Sequence, residues 1–271
     1  MKAIPYLVLL FWALTFMPSQ TIAQNDTSGF NPDIGTWKSY PYPLSHNAIK
    51  RVNESPDKWD VFVEDSIVKA RRGLGLGMNT LADTVFFAIE SYKDTLEGYS
   101  DDYFIFKVPD GYLIGFDKGR LGGALWWFSN DGNESYIIEH QRNVAIIGFE
   151  GEIYAFTGGF GKERSHIAQL RLNAKGRWHV WRTLKLPNPP VAYKIVGDKL
   201  YLATDDHLLL FTQQQGIKML VRSPFVWGAL FPSTLVVHGN DVYMGMNGGI
   251  IKITNVVGRF DNWELYWLKP R

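Results

Sequence analysis

A four-strand unit recurs along the chain from residue 102 onward, and this repeat constrains the fold more than any other feature. Each unit holds four short runs of alternating apolar and polar residues bounded by Gly, Asp and Asn, a pattern typical of β-strands. The second run sets the register, because equivalent positions recur at separations of 40, 47 and 42 residues: Ile114, Tyr154, Tyr201 and Tyr243. The repeat predicts a core that forms between similar neighbouring units.

The runs are distinct enough to predict individual strands. In chain order they are YFIFKVP, GYLIGFD, ALWWFS, ESYIIEH, VAIIGFE, EIYAFTG, IAQLRLN, WHVWRTL, AYKIVGD, KLYLATD, HLLLFTQ, IKMLVRS, TLVVHGN, DVYMGMN, IIKITN and WELYWL. Upstream, AIKRVN, WDVFVED, SIVKARR and DTVFFAIES form a looser fifth unit. The predicted inner strands are IKRVN, FIFKV, VAIIGF, AYKIV and TLVVH, and GTWKSYPYP near Trp37 is predicted to add an outer strand to the last unit.

Units of this length with four strands each are typical of β-propeller blades. We therefore predict an all-β fold, a propeller of five four-stranded blades over residues 47–271, preceded by an N-terminal segment at 24–46. Two stacked β-sandwiches are the alternative, although they do not predict the regular spacing.

The stretch SNDGNESY falls between the third and fourth strands of the second unit. It resembles the Asp-box, the Ser-x-Asp-Gly-Gly-x-Thr-Trp hairpin of sialidase-like (BNR-like) and other propellers, at Ser129, Asp131, Gly132, Ser135 and Tyr136. The resemblance implies a structural turn in which the short carboxylate accepts hydrogen bonds from turn amides and the aromatic ring packs into the blade.

Two other interpretations of this stretch fit its residues less well. A calcium loop needs more oxygen donors at alternate positions and a closing bidentate acid, and Glu134 is wrongly spaced for that role. Asn133 begins a glycosylation sequon, as do Asn25 and Asn53, but these sites matter only in an organism that glycosylates them. The structural turn is the favoured interpretation.

The N-terminus, MKAIPYLVLLFWALTFMPSQTIAQ, has the pattern of a secretory signal peptide at residues 1–23. Lys2 precedes an apolar run, and Thr21-Ile22-Ala23 supplies a small-x-small cleavage signal. A membrane anchor would need about 20 continuous apolar residues, and Pro18 interrupts the run too early. We expect a periplasmic or secreted protein with no membrane insertion after cleavage.

Net charge and cysteine content limit the classes of partner and the compartments that we expect. The formal net charge is only +1, so we expect no nucleic-acid partner. The chain has no cysteine, so it forms no disulfide and carries no lipid on a thiol. Because vertebrate extracellular domains of this size usually have disulfides, the bacterial periplasm is favoured.

Motifs for catalysis and cofactors are not found. Inner strands of a five-bladed glycosidase should carry carboxylates, but those predicted here offer Lys50, Lys107 and Lys194. No FRIP-like segment, which a resemblance to sialidases would imply, follows the signal peptide. GGFGKERS departs from a phosphate loop, and the six histidines show no metal-ligand spacing. We expect no catalytic residue, metal or cofactor.

The predicted binding surface comes from loops. Phe225, Trp227, Leu230 and Phe231 lie between two prolines in a segment without charge, and if exposed they would form an apolar patch suited to protein contacts. The alternative is that they pack between the last two blades. Arg120, Lys162 and Arg164 on neighbouring loops would form a polar rim.

These features favour an exported, non-catalytic protein that recognises another envelope or extracellular protein, as an assembly factor or as an inhibitor or immunity protein. The alternative is a propeller that binds carbohydrate or acts as a divergent glycoside hydrolase.

Overall fold

The computed structural model describes residues 33–73, 85, 87, 103–117, 122–158, 165–257 and 262–270. These residues form an all-β architecture of antiparallel sheets, with one α-helix, α1 (His46–Asn53). The strands are β1 (Lys38–Tyr40), β2 (Trp59–Glu64), β3 (Ile67–Arg72), β4 (Tyr103–Val108), β5 (Gly111–Asp117), β6 (Gly123–Ser129), β7 (Ser135–Glu139), β8 (Asn143–Phe149), β9 (Glu152–Thr157), β10 (His166–Leu172), β11 (Trp178–Lys185), β12 (Pro190–Val196), β13 (Lys199–Thr204), β14 (His207–Thr212), β15 (Gly216–Arg222), β16 (Thr234–His238), β17 (Asp241–Met246), β18 (Gly249–Thr254) and β19 (Glu264–Lys269).

All sixteen strands predicted after residue 102 are present, as β4 to β19. They group by fours, in chain order, into sheet 2 (β4–β7), sheet 3 (β8–β11), sheet 4 (β12–β15) and sheet 5 (β16–β19), while β2 and β3 form sheet 1. Each strand pairs antiparallel with the next in its sheet. The repeated, propeller-like sheets of the sequence prediction are therefore confirmed.

The predicted outer strand near Trp37 is also confirmed. Strand β1 pairs antiparallel with β19, with Lys38 opposite Lys269 and Tyr40 opposite Trp267. Sheet 5 is thus completed by a strand from the N-terminal side of the domain.

The prediction that IKRVN is an inner strand is wrong, because these residues form helix α1. The Ser45 hydroxyl accepts a hydrogen bond from the amide of Ala48 at 3.2 Å and caps the helix, while Lys50 and Arg51 lie in its last turn, where they complement the helix dipole. Among the described residues, no helix is long and apolar enough to cross a membrane.

Strand β2 takes the place expected of IKRVN. The hydroxyl of Thr234 on β16 accepts a hydrogen bond from the Val61 amide at 2.8 Å, so sheet 1 lies against sheet 5. The predicted fourth strand of this unit, DTVFFAIES, lies outside the described residues apart from Val85 and Phe87. The Phe87 ring lies 5.8 Å from that of Tyr112 and 5.6 Å from that of Phe128, both in sheet 2.

Neighbouring sheets share apolar clusters, and this packing forms the core. Sheets 3 and 4 meet where the rings of Tyr154 and Phe211 lie edge to face at 5.4 Å. Sheets 2 and 3 meet around Leu113 and Ala155, and sheets 4 and 5 around Leu208 and Met244, all four fully buried. Each sheet therefore covers the face of the next, as the repeat predicts.

Candidate binding site

Connections in the repeated sheets lie at two opposite ends, because antiparallel strands alternate in direction. One end holds the tight turns between first and second strands and between third and fourth strands, and we call it the turn end. The other holds the links between second and third strands and between successive sheets. We call it the polar end, after Asp117, Glu139, Arg142, Asn143, Ser165, His166, Asp205, Asp206 and His207.

Acidic and basic side chains pair across sheets 2 and 3 at the polar end. Arg142 Nε donates to Asp117 Oδ1 at 2.6 Å, and His166 Nε2 lies 2.9 Å from Glu139 Oε1. All four side chains are at most one quarter exposed. In such partly desolvated surroundings the contacts are stronger than ordinary surface ion pairs.

Sheet 4 contributes a third cluster of charged and polar groups. Asn188 Nδ2 donates to Asp206 Oδ1 at 2.5 Å, and His207 Nδ1 lies 2.5 Å from the same oxygen. The histidine contact has the distance of an ion pair but not the direction of a hydrogen bond, so His207 Nδ1 is buried without a hydrogen-bond partner among the described residues.

The two histidines occupy equivalent places in the repeat, and a threonine holds each of them. The hydroxyl of Thr157 accepts from the His166 amide at 3.2 Å, and that of Thr204 accepts from the His207 amide at 3.3 Å. Both threonines are fully buried at the ends of second strands. Aligning the units places Thr157 with Thr204 and His166 with His207, so the repeat itself is the sequence signal for these two histidines.

Asn143 is the most unusual residue at the polar end. It is fully buried, and neither its amide oxygen nor its amide nitrogen has a hydrogen-bond partner in the part of the chain that the structure describes. The amide lies against the backbone of Gly115, where a Cβ would overlap its oxygen. Gly115 precedes Asp117 by two residues, so the Asn143 amide packs on the same face of β5 as the Asp117 side chain.

Two further buried polar atoms at this end have no hydrogen-bond partner among the described residues: Glu139 Oε2 and Ser165 Oγ. Buried polar groups are nearly always hydrogen-bonded, so these atoms are places where a water molecule or another group can supply a partner.

Asp205 lies in the two-residue link between β13 and β14, half-buried beside Gly228. Burial raises the pKa of its carboxyl, and the neighbouring charge of Asp206 raises it further, whereas Arg142 lowers it in part.

The apolar segment that the sequence analysis proposed as a binding patch is mostly core. Phe225 is 7% exposed, and Trp227 and Leu230 are fully buried, so these three residues cannot form the expected exposed patch. The Trp227 indole donates to the carbonyl of Thr204, and Trp227–Leu230 form a short 3₁₀ helix. All three side chains pack between the last two sheets, as the alternative interpretation expects.

Phe231 is the exception in this segment, at 66% exposed. Its backbone has φ of 54°, a left-handed conformation that is uncommon for a bulky residue, and its amide donates to the carbonyl of Gly228 at 3.1 Å. The Gly228 amide in turn donates to the carbonyl of Asp205 at 2.9 Å. The backbone of Phe231 is thus linked through Gly228 to the backbone of Asp205. The predicted rim residues Arg120, Lys162 and Arg164 lie outside the described residues.

The Asp-box-like stretch lies at the turn end and uses its own polar groups. Asp131 Oδ1 accepts from the Ser129 hydroxyl at 2.6 Å and from the Asn133 amide at 3.1 Å, and Gly132 has φ of 76°. These bonds, first that from Ser129, lower the pKa of Asp131. The Tyr136 ring stacks on Trp127 at 5.1 Å, and its hydroxyl accepts from the Trp178 amide at 2.6 Å.

Within the described ranges, no group of three or more His, Asp or Glu side chains is arranged to hold a metal ion. A groove of about 610 Å³ lies beside α1, lined in part by Arg51, Trp267 and Lys269. It carries basic side chains, whereas the polar end is mainly acidic.

Comparison with known proteins adds no relative. No protein-family model matches the chain, and a search of the curated proteins finds no significant match.

Proposed function

We propose that this chain is an exported five-bladed β-propeller that binds another protein of the bacterial envelope, without catalysis, through its polar end. The observation that carries the proposal is a group of buried side-chain atoms at that end without a hydrogen-bond partner among the described residues: the Asn143 amide, Glu139 Oε2 and Ser165 Oγ. A partner that supplies hydrogen bonds to these groups would stabilise the complex.

A closed ring of five blades is supported by contacts at both sides of the first unit. Sheet 1 lies against sheet 5 through Val61 and Thr234, while Phe87 of the same unit lies against Tyr112 and Phe128 of sheet 2. Strand β1 pairs with β19 in sheet 5. One sheet therefore holds strands from the N-terminal and C-terminal parts of the described chain. Propellers commonly bind their ligands at one end of such a ring.

A binding role is favoured over catalysis because most of the acids at the polar end already have partners. Asp117 accepts from Arg142, Glu139 contacts His166, and Asp206 accepts from Asn188. Groups fixed in this way present a rigid, charged surface, which gives specificity in protein recognition.

Capture of a partner from envelope extract, with two matched variants, tests the proposal. Phe231→Ala removes an exposed ring at the polar end, and Trp181→Ala removes a ring that is 59% exposed on the edge strand β11. We expect one stoichiometric partner for the native protein and for Trp181→Ala, and its loss for Phe231→Ala. Equal capture by both variants would show that binding uses another surface.

The carbohydrate-active alternative is favoured by one feature, the half-buried Asp205 carboxyl beside Asp206. Burial and the Asp206 charge raise the pKa of Asp205, and a glycosidase needs a protonated acid near an ionised one. Incubation with aryl glycosides and envelope polysaccharides tests it. Sugar release that is lost in Asp205→Asn would establish the enzyme and contradict the binding proposal.

A further inference from the structure

The groove beside helix α1 combines apolar walls with positive charge. Its volume of about 610 Å³ lies within the range of roughly 300–1,000 Å³ that is typical of small-molecule sites. Most of its lining residues are apolar, Pro43 and Trp267 among them, and Arg51 and Lys269 add two basic side chains. None of the residues that define the polar end lines this groove.

We propose that the groove binds a small organic molecule that has one carboxylate and an apolar body. Arg51 and Lys269 hold the carboxylate, and the apolar body packs on the wall that Tyr42, Leu44 and Val52 form. This site is separate from the acidic clusters of sheets 2 to 4, and its ligand belongs to a different class from the protein partner proposed above.

The charges that line the groove are complementary to a single negative charge. Neither Arg51 nor Lys269 forms an ion pair within the part of the chain that the structure describes. Asp57 also lines the groove, and its Oδ1 lies 3.3 Å from Nη2 of Arg72. Two basic side chains and one acidic side chain give the lining a net charge of +1, which one carboxylate neutralises. A phosphate monoester carries about −1.5 to −2 near pH 7 and would exceed it.

Aromatic rings position the Lys269 ammonium group beside the groove. Its nitrogen lies 5.4 Å from the centroid of the Trp267 ring and 5.9 Å from that of the Tyr40 ring. Cation–π contacts of this length orient a cation but leave its charge in place. The half-buried Lys269 side chain can therefore still form an ion pair with a bound anion.

The helical wall of the groove is fixed by contacts with sheet 5 and the segment that precedes it. Asn53 Nδ2 donates to the Ala229 carbonyl at 2.8 Å, and Asn247 Nδ2 donates to Asn53 Oδ1 at 3.1 Å. Val52 packs against Gly248, where a Cβ would lie only 2.4 Å from a Val52 methyl carbon. A site that is already formed loses less conformational entropy when a ligand binds.

The proposal is tested by NMR titration of the purified protein with 3-phenylpropionate and its uncharged analogue 3-phenylpropanamide. We expect the acid to shift the backbone amide signal of Gly248 and the indole signal of Trp267, with a dissociation constant of about 1 mM for a molecule of this size. The amide should bind at least about tenfold more weakly, because it lacks the charge that Arg51 and Lys269 neutralise.

Two neighbouring residues of α1 provide matched variants. Arg51 lines the groove, whereas Lys50 does not, and the Lys50 ammonium group lies 3.8 Å from Glu54 on the exposed surface of the helix. Arg51→Gln should weaken binding of the acid at least about tenfold, and Lys50→Gln should leave it unchanged. Thermal unfolding of both variants checks that they remain folded.

Equal binding of the acid and the amide, an equal loss in the two variants, or no saturable shift at about 10 mM acid would overturn the proposal. Tighter binding of phenyl phosphate than of 3-phenylpropionate would overturn the assignment of a single carboxylate. Partner capture with Phe231→Ala tests the protein-binding function separately, so either proposal can fail while the other stands.

Discussion

The two ends of the sheets are built from the same residue types but use them differently. At the turn end, polar side chains hydrogen-bond within their own turns: Asp131 accepts from Ser129 and Asn133, and the Asn173 amide oxygen accepts from the amides of Lys175 and Arg177. At the polar end, the equally polar Asn143 is buried without such partners among the described residues.

Polar groups that hydrogen-bond within a turn stabilise the fold, whereas buried polar groups without partners are available to bind another molecule. A turn that satisfies its own donors and acceptors gains local stability and has little left to offer a ligand. A buried amide without partners reduces stability, and proteins retain such costs mainly at functional sites.

Within the polar end, Trp227 and Phe231 of the apolar segment should contribute very differently to the free energy of unfolding. Trp227→Ala removes a fully buried indole and should lower the free energy of unfolding by about 3–5 kcal/mol. Phe231→Ala removes an exposed ring and should change it by no more than about 0.5 kcal/mol. Chemical denaturation measures both values. Similar losses for the two variants would mean that Phe231 is also part of the core.

At the turn end, the structural role of the Asp-box-like turn can be measured through Gly132. Gly132→Ala forces a Cβ into a left-handed residue and against the Phe87 ring, and should cost about 2–4 kcal/mol. Gly151 has the same φ of 76° with no atom near its Cβ position, so Gly151→Ala should cost only about 1 kcal/mol. Equal costs for the two variants would show that the Phe87 ring adds nothing to the cost of a Cβ at Gly132.

Replacing one asparagine at each end allows a direct comparison of how each end uses a side-chain amide. Asn143→Leu replaces an unpaired buried amide with an apolar group of similar size, and should raise the free energy of unfolding by about 1–3 kcal/mol while weakening partner binding. Asn173→Leu removes an acceptor that two turn amides use and should lower it by about 1 kcal/mol. Loss of stability in both variants would show that Asn143 is satisfied in the native protein.

Two aspartates should give opposite dependences of stability on pH. Asp131 has a lowered pKa, so its contribution is present above its ordinary value of 3.8 and is lost as the pH falls through the folded-state pKa. Asp205 has a raised pKa, so its penalty is fully present above that pKa and disappears as the pH falls toward 3.8.

Near neutral pH, Asp131→Asn should therefore lower the melting temperature and Asp205→Asn should raise it, by about 1–2 °C. Both differences should vanish in acid. Melting curves recorded from neutral to acidic pH measure them, and a change of the same sign for both variants would contradict the assignment.

The strands were predictable because each is a local pattern of alternating residues bounded by turn residues, and the tyrosines at 154, 201 and 243 fixed their register. Helix α1 was not, since the short run AIKRVN also suits a strand and its helical state depends on the Ser45 cap and on packing against sheet 5.

The site was less predictable than the strands. Asp117 and Arg142 are 25 residues apart in the sequence, and their ion pair depends on how sheets 2 and 3 pack. The apolar composition of Phe225, Trp227 and Leu230 did not distinguish an exposed patch from a buried one. Only the repeated Thr and His positions of sheets 3 and 4 carried a signal in the sequence.

The central claim, that the polar end is the binding surface, is tested most directly by site-specific photo-crosslinking in cells. A photoreactive phenylalanine replaces exposed His140, in the link between β7 and β8 at the polar end, or exposed Asp198 at the turn end. We predict a discrete protein adduct from position 140 and none from position 198. An adduct from position 198 alone would contradict the account.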